Sequence, residues 1–200
     1  SGVCAGLLHW PRAAFVGAWL VVGAAVVGWF LVANGIDPLV QLRRRWKGGV
    51  VAGAIAGAGL ALTVLRQPAP PHPAGGSALA GDVLWLGLVY GVVDALVLSV
   101  LPVLALYGMR SAAALAEPGG RLRAAGAALA GSLVVTAAYH LGFPEFRGGA
   151  LAAPLIGNTV MTVAYLVAGN PLAPVVAHVL MHVAAVLHGA GAAGQLPPHS

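Results

Sequence analysis

The feature that most constrains this chain is a series of six long apolar segments that are almost free of charge. They run approximately over 13–33, 49–66, 81–107, 124–141, 150–168 and 172–189. A helix needs about 20 apolar residues to cross the hydrocarbon core of a membrane, where an unpaired backbone N–H or C=O finds no partner in the lipid. The segments therefore predict an all-α bundle of about six membrane-spanning helices, forming a single transmembrane domain over residues 1–200.

Composition supports the same conclusion and excludes other classes. Hydrophobic residues make up 60% of the 200 residues and charged residues only 8%, whereas a soluble domain carries about 25% charged residues. The net charge of +5 comes mainly from residues beside the spans, and aromatic residues do not alternate with them as in a nucleic-acid groove. We therefore predict contact with membrane lipid and no nucleic-acid partner. The single cysteine, Cys4, leaves no intrachain disulfide within this sequence.

Lys and Arg are unequally distributed between the two ends of the predicted bundle. The following seven flank the loops after the first and third spans: Arg43, Arg44, Arg45, Lys47, Arg110, Arg121 and Arg123. The other end has three: Arg12, Arg66 and Arg147. Because positively charged loops stay in the cytoplasm, this distribution predicts cytoplasmic basic loops and both termini outside. A composition rich in Ala, Gly, Pro and Arg is typical of a GC-rich bacterial genome, hence of a bacterial cytoplasmic membrane.

Three local patterns predict how the spans are shaped and joined. Gly53 and Gly57 in the second span have a spacing that lets two helix backbones approach closely, so a dimer face is one interpretation and chance is the other. Pro102 predicts a kink in the long third span. The proline-rich segment 67–78 predicts an irregular extended loop.

Polar side chains inside the predicted spans are the strongest indication of function. Asp94 lies at the middle of the third span, Asn158 at the middle of the fifth and His182 near the middle of the sixth. His178 precedes His182 by four residues and so shares its helix face. A charged side chain at the centre of a bilayer costs about 2.5–3.5 kcal/mol on insertion scales. We therefore expect these side chains to meet in a shared interior pocket, with Asn158 in a supporting position.

This polar set fits three kinds of chemistry and one purely structural role. Asp94 can act as a general base on water while imidazoles stabilise an oxyanion. Asp94, His178 and His182 together are also a ligand set for zinc or another divalent metal. A chain of Asp and His side chains can also pass protons through a membrane. The fourth interpretation is a buried Asp–His pair that only fixes helix packing.

His140, at the end of the fourth span, has two interpretations. It either joins the catalytic set or reaches interfacial water, and in the second case the neighbouring Tyr139 is an interfacial anchor. On the predicted topology His140 lies near the outer end of its helix and His178 near the inner end of a parallel one. Their depths then differ by roughly 15 Å at 1.5 Å per residue.

Two histidine motifs resemble those of the CPBP intramembrane metalloprotease family, also called the CAAX protease and bacteriocin-processing family. The stretch 170–182, NPLAPVVAHVLMH, is similar to the family's final motif, HxxxN, with His178 as the motif histidine and His182 at the asparagine position. The stretch 136–140, TAAYH, is similar to the middle motif, FxxxH. It ends at His140, which precedes the next motif histidine by 38 residues.

The family's first motif, EExxxR, has a reduced counterpart in residues 92–98, VVDALVL, which carry Asp94 but no glutamate or arginine. The resemblance covers a core of about 81–190 and implies a metal-dependent hydrolase that cleaves peptide or protein substrates near the membrane surface. It implies Asp94 as base or metal ligand and His140 as an oxyanion stabiliser. The reduced motif leaves two alternatives open: an inactive relative that serves a membrane-protein partner as subunit or scaffold, and a proton or metal-ion pathway.

Overall fold

The computed structural model describes residues 12–68, 76–108 and 111–189. Helices and turns account for these residues, and no strand occurs in the described part of the chain. The all-α class predicted from the sequence is therefore confirmed. Two residues named in the sequence analysis lie outside the described ranges: Cys4 and Arg110.

The helices follow one another with short connections. They are α1 (Arg12–Ala33), α2 (Pro38–Arg43), α3 (Trp46–Leu65), α4 (consecutive segments Gly76–Asp82, Val83–Val89, Tyr90–Asp94, Ala95–Val100 and Leu101–Gly108), α5 (Ala112–Ala116), α6 (Pro118–His140), α7 (Ala152–Ala168) and α8 (Leu172–Leu187). Two 3-10 turns, Pro144–Phe146 and Gly148–Leu151, connect α6 to α7.

Five stretches of the described chain are long and apolar enough to cross a membrane: Ala14–Ala33, Trp46–Leu65, Leu79–Tyr107, Pro118–His140 and Gly148–Ala168. The sixth predicted span is the shorter α8, whose 16 residues reach about 24 Å at 1.5 Å per residue. Large apolar side chains point outward from the bundle, and Val32, for example, is 84% exposed. Such a surface matches lipid, and the molecule is an all-α membrane helix bundle as predicted.

Helix α4 leaves regular α-helical geometry on both sides of Asp94. The segments Val83–Val89 and Ala95–Val100 are π-helical. Pro102 follows the second and has no N–H to donate to the carbonyl of Leu98. The hydroxyl of Ser132 on α6 donates to that carbonyl at 2.6 Å instead. The irregularity predicted at Pro102 therefore takes the form of a π-helical segment with an acceptor satisfied by a neighbouring helix.

Helix α8 lies at the centre of the bundle and packs between α3 and α4. Glycines allow this close approach, since a Cβ at Gly53 would lie 2.5 Å from the carbonyl oxygen of Ala173. On the other side, a Cβ at Gly91 would lie 3.1 Å from Cα of Val179. The stripe of Gly53 and Gly57 is thus a contact face within the chain, and its interpretation as a dimer face is wrong.

Helix boundaries differ from the predicted ones mainly where the ends are polar. Helix α4 begins at Gly76, so the extended loop predicted over 67–78 ends sooner, and residues 69–75 lie outside the described part. Helix α6 begins at Pro118 rather than near 124.

Helix α2 is capped by Asp37, whose Oδ1 accepts a hydrogen bond from the backbone N–H of Leu39 at 2.8 Å.

Candidate functional site

A cavity of about 790 Å³, here called the central cavity, lies among α3, α4, α6, α7 and α8. It is lined in part by the segment that connects α6 to α7, at the end of the bundle opposite α2 and α5. The structure brings all five residues singled out in the sequence to its wall: Asp94, His140, Asn158, His178 and His182.

The closest ionisable pair in the cavity wall is Asp94 on α4 and His182 on α8. Oδ2 of Asp94 lies 3.7 Å from Nε2 of His182, and the two residues are 4% and 2% exposed. That distance is longer than a hydrogen bond, and neither ring nitrogen of His182 has a hydrogen-bond partner in the described structure. An unsatisfied buried nitrogen is costly, so His182 differs in this respect from the paired polar side chains around it.

Helix α1 holds the carboxylate of Asp94 from another side. The indole Nε1 of Trp19 donates a hydrogen bond to Oδ1 at 2.8 Å. The indole ring also packs against the ring of Tyr139, with centroids 4.8 Å apart. One carboxylate oxygen is therefore fixed by α1 while the other lies near His182. Sequence reasoning missed Trp19, although an indole N–H inside an apolar span needs an acceptor and was a usable signal.

His178 lies one helical turn before His182, and its ring is oriented by its own helix. Nδ1 of His178 lies 3.0 Å from the carbonyl oxygen of Pro174. A carbonyl oxygen only accepts, so Nδ1 carries a proton there, and in the neutral imidazole Nε2 then keeps its lone pair. The two imidazoles are stacked, with centroids 6.1 Å apart and planes 19° apart. His178 thus presents an acceptor nitrogen beside the Asp94–His182 pair.

His140 lies at the end of α6 and is half-buried in the same wall. Its Nδ1 lies 2.8 Å from the carbonyl oxygen of Thr136, and its ring meets that of Phe146 edge to face with centroids 4.7 Å apart. His140 and His178 line one cavity. The depth difference estimated from the sequence therefore does not separate His140 from the site.

Two tyrosines that the sequence reasoning did not assign to the site complete this wall. The hydroxyl oxygens of Tyr90 and Tyr139 lie 2.7 Å apart, and both side chains are buried. The ring of Tyr90 also meets the ring of His182 edge to face, with centroids 5.0 Å apart. Tyr139 is therefore a buried wall residue, and its interpretation as an interfacial anchor is wrong. The position of Tyr90 one turn before Asp94 was the available signal.

Asn158 belongs to a second polar group, the hydroxyl cluster, made of Ser99, Ser132, Thr136, Asn158 and Thr162. Nδ2 of Asn158 donates to the hydroxyls of Ser132 and Thr136, both at 2.7 Å, and its Oδ1 accepts from Ser99 at 2.7 Å. The hydroxyls of Thr162 and Ser132 lie 2.8 Å apart. The amide therefore cross-links α4, α6 and α7, and its polar atoms are engaged in these bonds.

The donor atoms available to a metal ion are few. Within the described ranges, no three His, Cys, Asp or Glu side chains form a ready metal-binding group. The nearest donors are Oδ2 of Asp94 and Nε2 of His182, with the ring of His178 stacked beside them. The unsatisfied nitrogens of His182 fit a metal-bound or water-bound role equally well.

The comparisons with known proteins leave this arrangement to be interpreted from its own chemistry. No protein-family model, curated protein or solved structure matches the chain.

Proposed function

We propose that the chain is a CPBP-like intramembrane hydrolase that uses Asp94 and His182 to activate water for cleavage of a peptide bond. The observation that carries this proposal is the 3.7 Å approach of Oδ2 of Asp94 to a buried, unsatisfied Nε2 of His182 at the wall of a cavity of about 790 Å³. Binding sites for small molecules and short peptide segments have volumes of about 300–1,000 Å³, so the cavity has room for an extended substrate segment.

In the proposed reaction, a water lies within hydrogen-bond distance of both Asp94 and His182. One of the two takes its proton as general base while the oxygen attacks the peptide carbonyl carbon. An N–H of His140 or His182 donates to the oxyanion of the tetrahedral intermediate. The captured proton passes to the leaving amine when the C–N bond breaks. The bond from Trp19 to Oδ1 keeps the carboxylate in one orientation throughout.

A divalent ion such as zinc is the alternative agent at the same place. We propose Asp94, His178 and His182 as the residues that would hold it. A bound ion would supply a water with a lowered pKa and polarise the peptide carbonyl. Metal analysis of the purified protein, compared with His178→Ala, distinguishes the two forms. A stoichiometric ion that is lost in the variant supports the metal-dependent form.

The proposed location is a bacterial cytoplasmic membrane with the basic loops inside. The central cavity is lined by residues at the opposite end of the bundle, including the exposed Glu145. In that orientation the cavity lies toward the outer surface, and we propose that a substrate enters it from the outer membrane interface to reach Asp94 and His182 at mid-depth.

The experiment is cleavage of a proteome-derived peptide library by protein reconstituted in nanodiscs, with new termini identified by mass spectrometry. We expect products from the wild type and none from Asp94→Ala or His178→Ala, with the thermal unfolding midpoint preserved. His188→Gln is the matched control, because His188 contacts the carbonyl oxygen of Gln67 and does not line the cavity. Undiminished cleavage by Asp94→Ala would contradict the proposal. An inactive wild type that co-purifies with a stoichiometric membrane protein would favour the scaffold alternative.

A further inference from the structure

A second cavity lies at the opposite end of the bundle from the site described above. This basic-end cavity has a volume of about 720 Å³ and is bounded by the loop around α2, the end of α4, α5, the start of α6 and the end of α7. Three arginines line it: Arg44 and Arg45 from the turn between α2 and α3, and Arg121 from the first turn of α6. The rest of its wall combines Gln41 and the tyrosines Tyr107 and Tyr165 with glycine and apolar residues.

The loop that carries two of these arginines is held in place from inside the bundle. Asn170, which is fully buried, donates its amide to the backbone carbonyls of Gln41 at 3.1 Å and Leu42 at 3.0 Å, and also to the carbonyl of Arg44. Arg45 adopts a left-handed backbone conformation with φ of 55°. The backbone of this loop is therefore a fixed turn, and it carries both arginines beside the cavity.

Arg121 reaches the cavity from the first turns of α6. Its Nε donates to the carbonyl oxygen of Leu115 on α5 at 2.7 Å, which orients the guanidinium and leaves its terminal N–H groups for another acceptor. The lining contains no carboxylate. In the part of the chain that the structure describes, the one carboxylate ion pair is Asp94–His182, far along the helices from this cavity. Three positive charges therefore line the cavity, and no carboxylate in its lining neutralises them.

We propose that the basic-end cavity binds a phosphate group. Guanidinium groups match phosphate oxygens in geometry and charge, and basic pockets between transmembrane helices on the cytoplasmic side bind anionic lipid headgroups. The apolar wall, which includes Val103, Leu104 and Leu166, is the chemistry that an acyl chain contacts. This proposal stands on its own and does not rest on the hydrolase assignment.

The test uses the purified chain in two arms that separate the two sources of a phosphate group. In the lipid arm, protein released from nanodiscs of phosphatidylcholine and phosphatidylglycerol is analysed by native mass spectrometry for retained lipid. In the solution arm, inorganic phosphate is titrated in neutral detergent and the thermal unfolding midpoint is followed. Arg44→Gln and Arg121→Gln are the cavity variants. Arg43→Gln is the matched control, since Arg43 is an exposed neighbour that does not line the cavity.

We expect the wild type and Arg43→Gln to retain phosphatidylglycerol over phosphatidylcholine, and each cavity variant to bind it about fivefold more weakly. A midpoint raised by inorganic phosphate in the wild type but not in the cavity variants also supports the site and assigns it to a soluble phosphate source. Arg44→Lys keeps the charge and guards against a folding defect, and it should retain most of the binding. Equal retention by Arg43→Gln and the cavity variants, together with no response to inorganic phosphate, would overturn the proposal.

Discussion

Two of the polar clusters buried in the described part of this bundle differ in how completely their atoms are paired. In the hydroxyl cluster, the amide of Asn158 and four hydroxyls bond to one another across three helices. In the Asp–His cluster, formed by Asp94, His178 and His182, both ring nitrogens of His182 lack a hydrogen-bond partner in the described structure. Both clusters contribute to the wall of the central cavity. Both clusters are buried, so it is the pairing of their atoms and not their burial that distinguishes them.

The physical reason for the difference is the cost of an unpaired polar atom away from water. A satisfied interhelical hydrogen bond in a membrane protein contributes about 0.6 kcal/mol on average, so the hydroxyl cluster stabilises the helix arrangement modestly and specifically. An unsatisfied buried group costs about 1–3 kcal/mol. A fold that retains that cost beside a cavity is expected to use the group when a substrate, water or ion is bound.

The contrast between the two clusters would fail most clearly if the imidazole of His182 were dispensable for cleavage. We expect His182→Phe to lower the rate of peptide cleavage by about 10²–10⁴-fold, the range that general acid–base groups contribute. The phenyl ring keeps the shape that packs against Gly91 and Tyr90, so the thermal unfolding midpoint should not fall. Cleavage and melting are measured on the same nanodisc preparation. Cleavage at the wild-type rate would remove His182 from the reaction.

The converse expectation is a loss of stability from the satisfied cluster. Asn158→Leu should lower the free energy of unfolding by about 2–3 kcal/mol, because Ser99, Ser132 and Thr136 all lose a buried partner. Reversible unfolding in mixed micelles measures the change. A stability equal to that of the wild type would show that the amide does not cross-link the helices.

A smaller effect on the rate of cleavage tests the role of Trp19. We expect this residue to position Asp94 without reacting itself. Trp19→Phe removes the hydrogen bond to Oδ1 and should lower kcat for cleavage by about tenfold, since misplacement of a catalytic group by about 1 Å costs up to 100-fold. KM should change little. Trp29→Phe is the matched control on the same helix, because Trp29 is exposed at the surface. Equal kinetics in the two variants would exclude the positioning role.

The smallest expected effect tests one hydroxyl within the satisfied cluster. Thr162→Val preserves the shape of the side chain and removes bonds to Ser132 and Ser99. We expect a loss of about 0.6 kcal/mol in the free energy of unfolding and unchanged cleavage, measured in the same micelle titration. A change in cleavage without a change in stability would place the hydroxyl cluster in the functional site.

Much of the helical architecture could be predicted from the sequence, because hydropathy over some 20 residues is a local property. The convergence of Asp94 and His182 was also predictable, since both lie at mid-depth and a polar group facing lipid is costly. Starts of helices at Gly76 and Pro118 were missed because their first turns are too polar or too rich in glycine to extend an apolar segment.

Other features depend on contacts between distant segments, so no local pattern specifies them. The glycines of α3 left a dimer face and a chance spacing as the two interpretations, because their spacing does not say which helix they contact, and here that helix is α8. The bond from Trp19 to Asp94 joins residues 75 apart in the chain. The hydrogen bonds of the Asn158 amide likewise require three helices to be in register. Depth estimates from the sequence do not predict that register. CPBP membership rests on the two histidine motifs and stays a prediction.

The most direct measurement is the thermal unfolding midpoint of Asp94→Asn, determined beside its cleavage activity. Asparagine keeps an oxygen that accepts the bond from Trp19 but no longer serves as a base. We expect a midpoint equal to or above that of the wild type together with loss of cleavage, as for a group retained for chemistry at the expense of stability. A midpoint lowered as far as that of Asn158→Leu, with cleavage intact, would make Asp94 a structural residue and contradict the account.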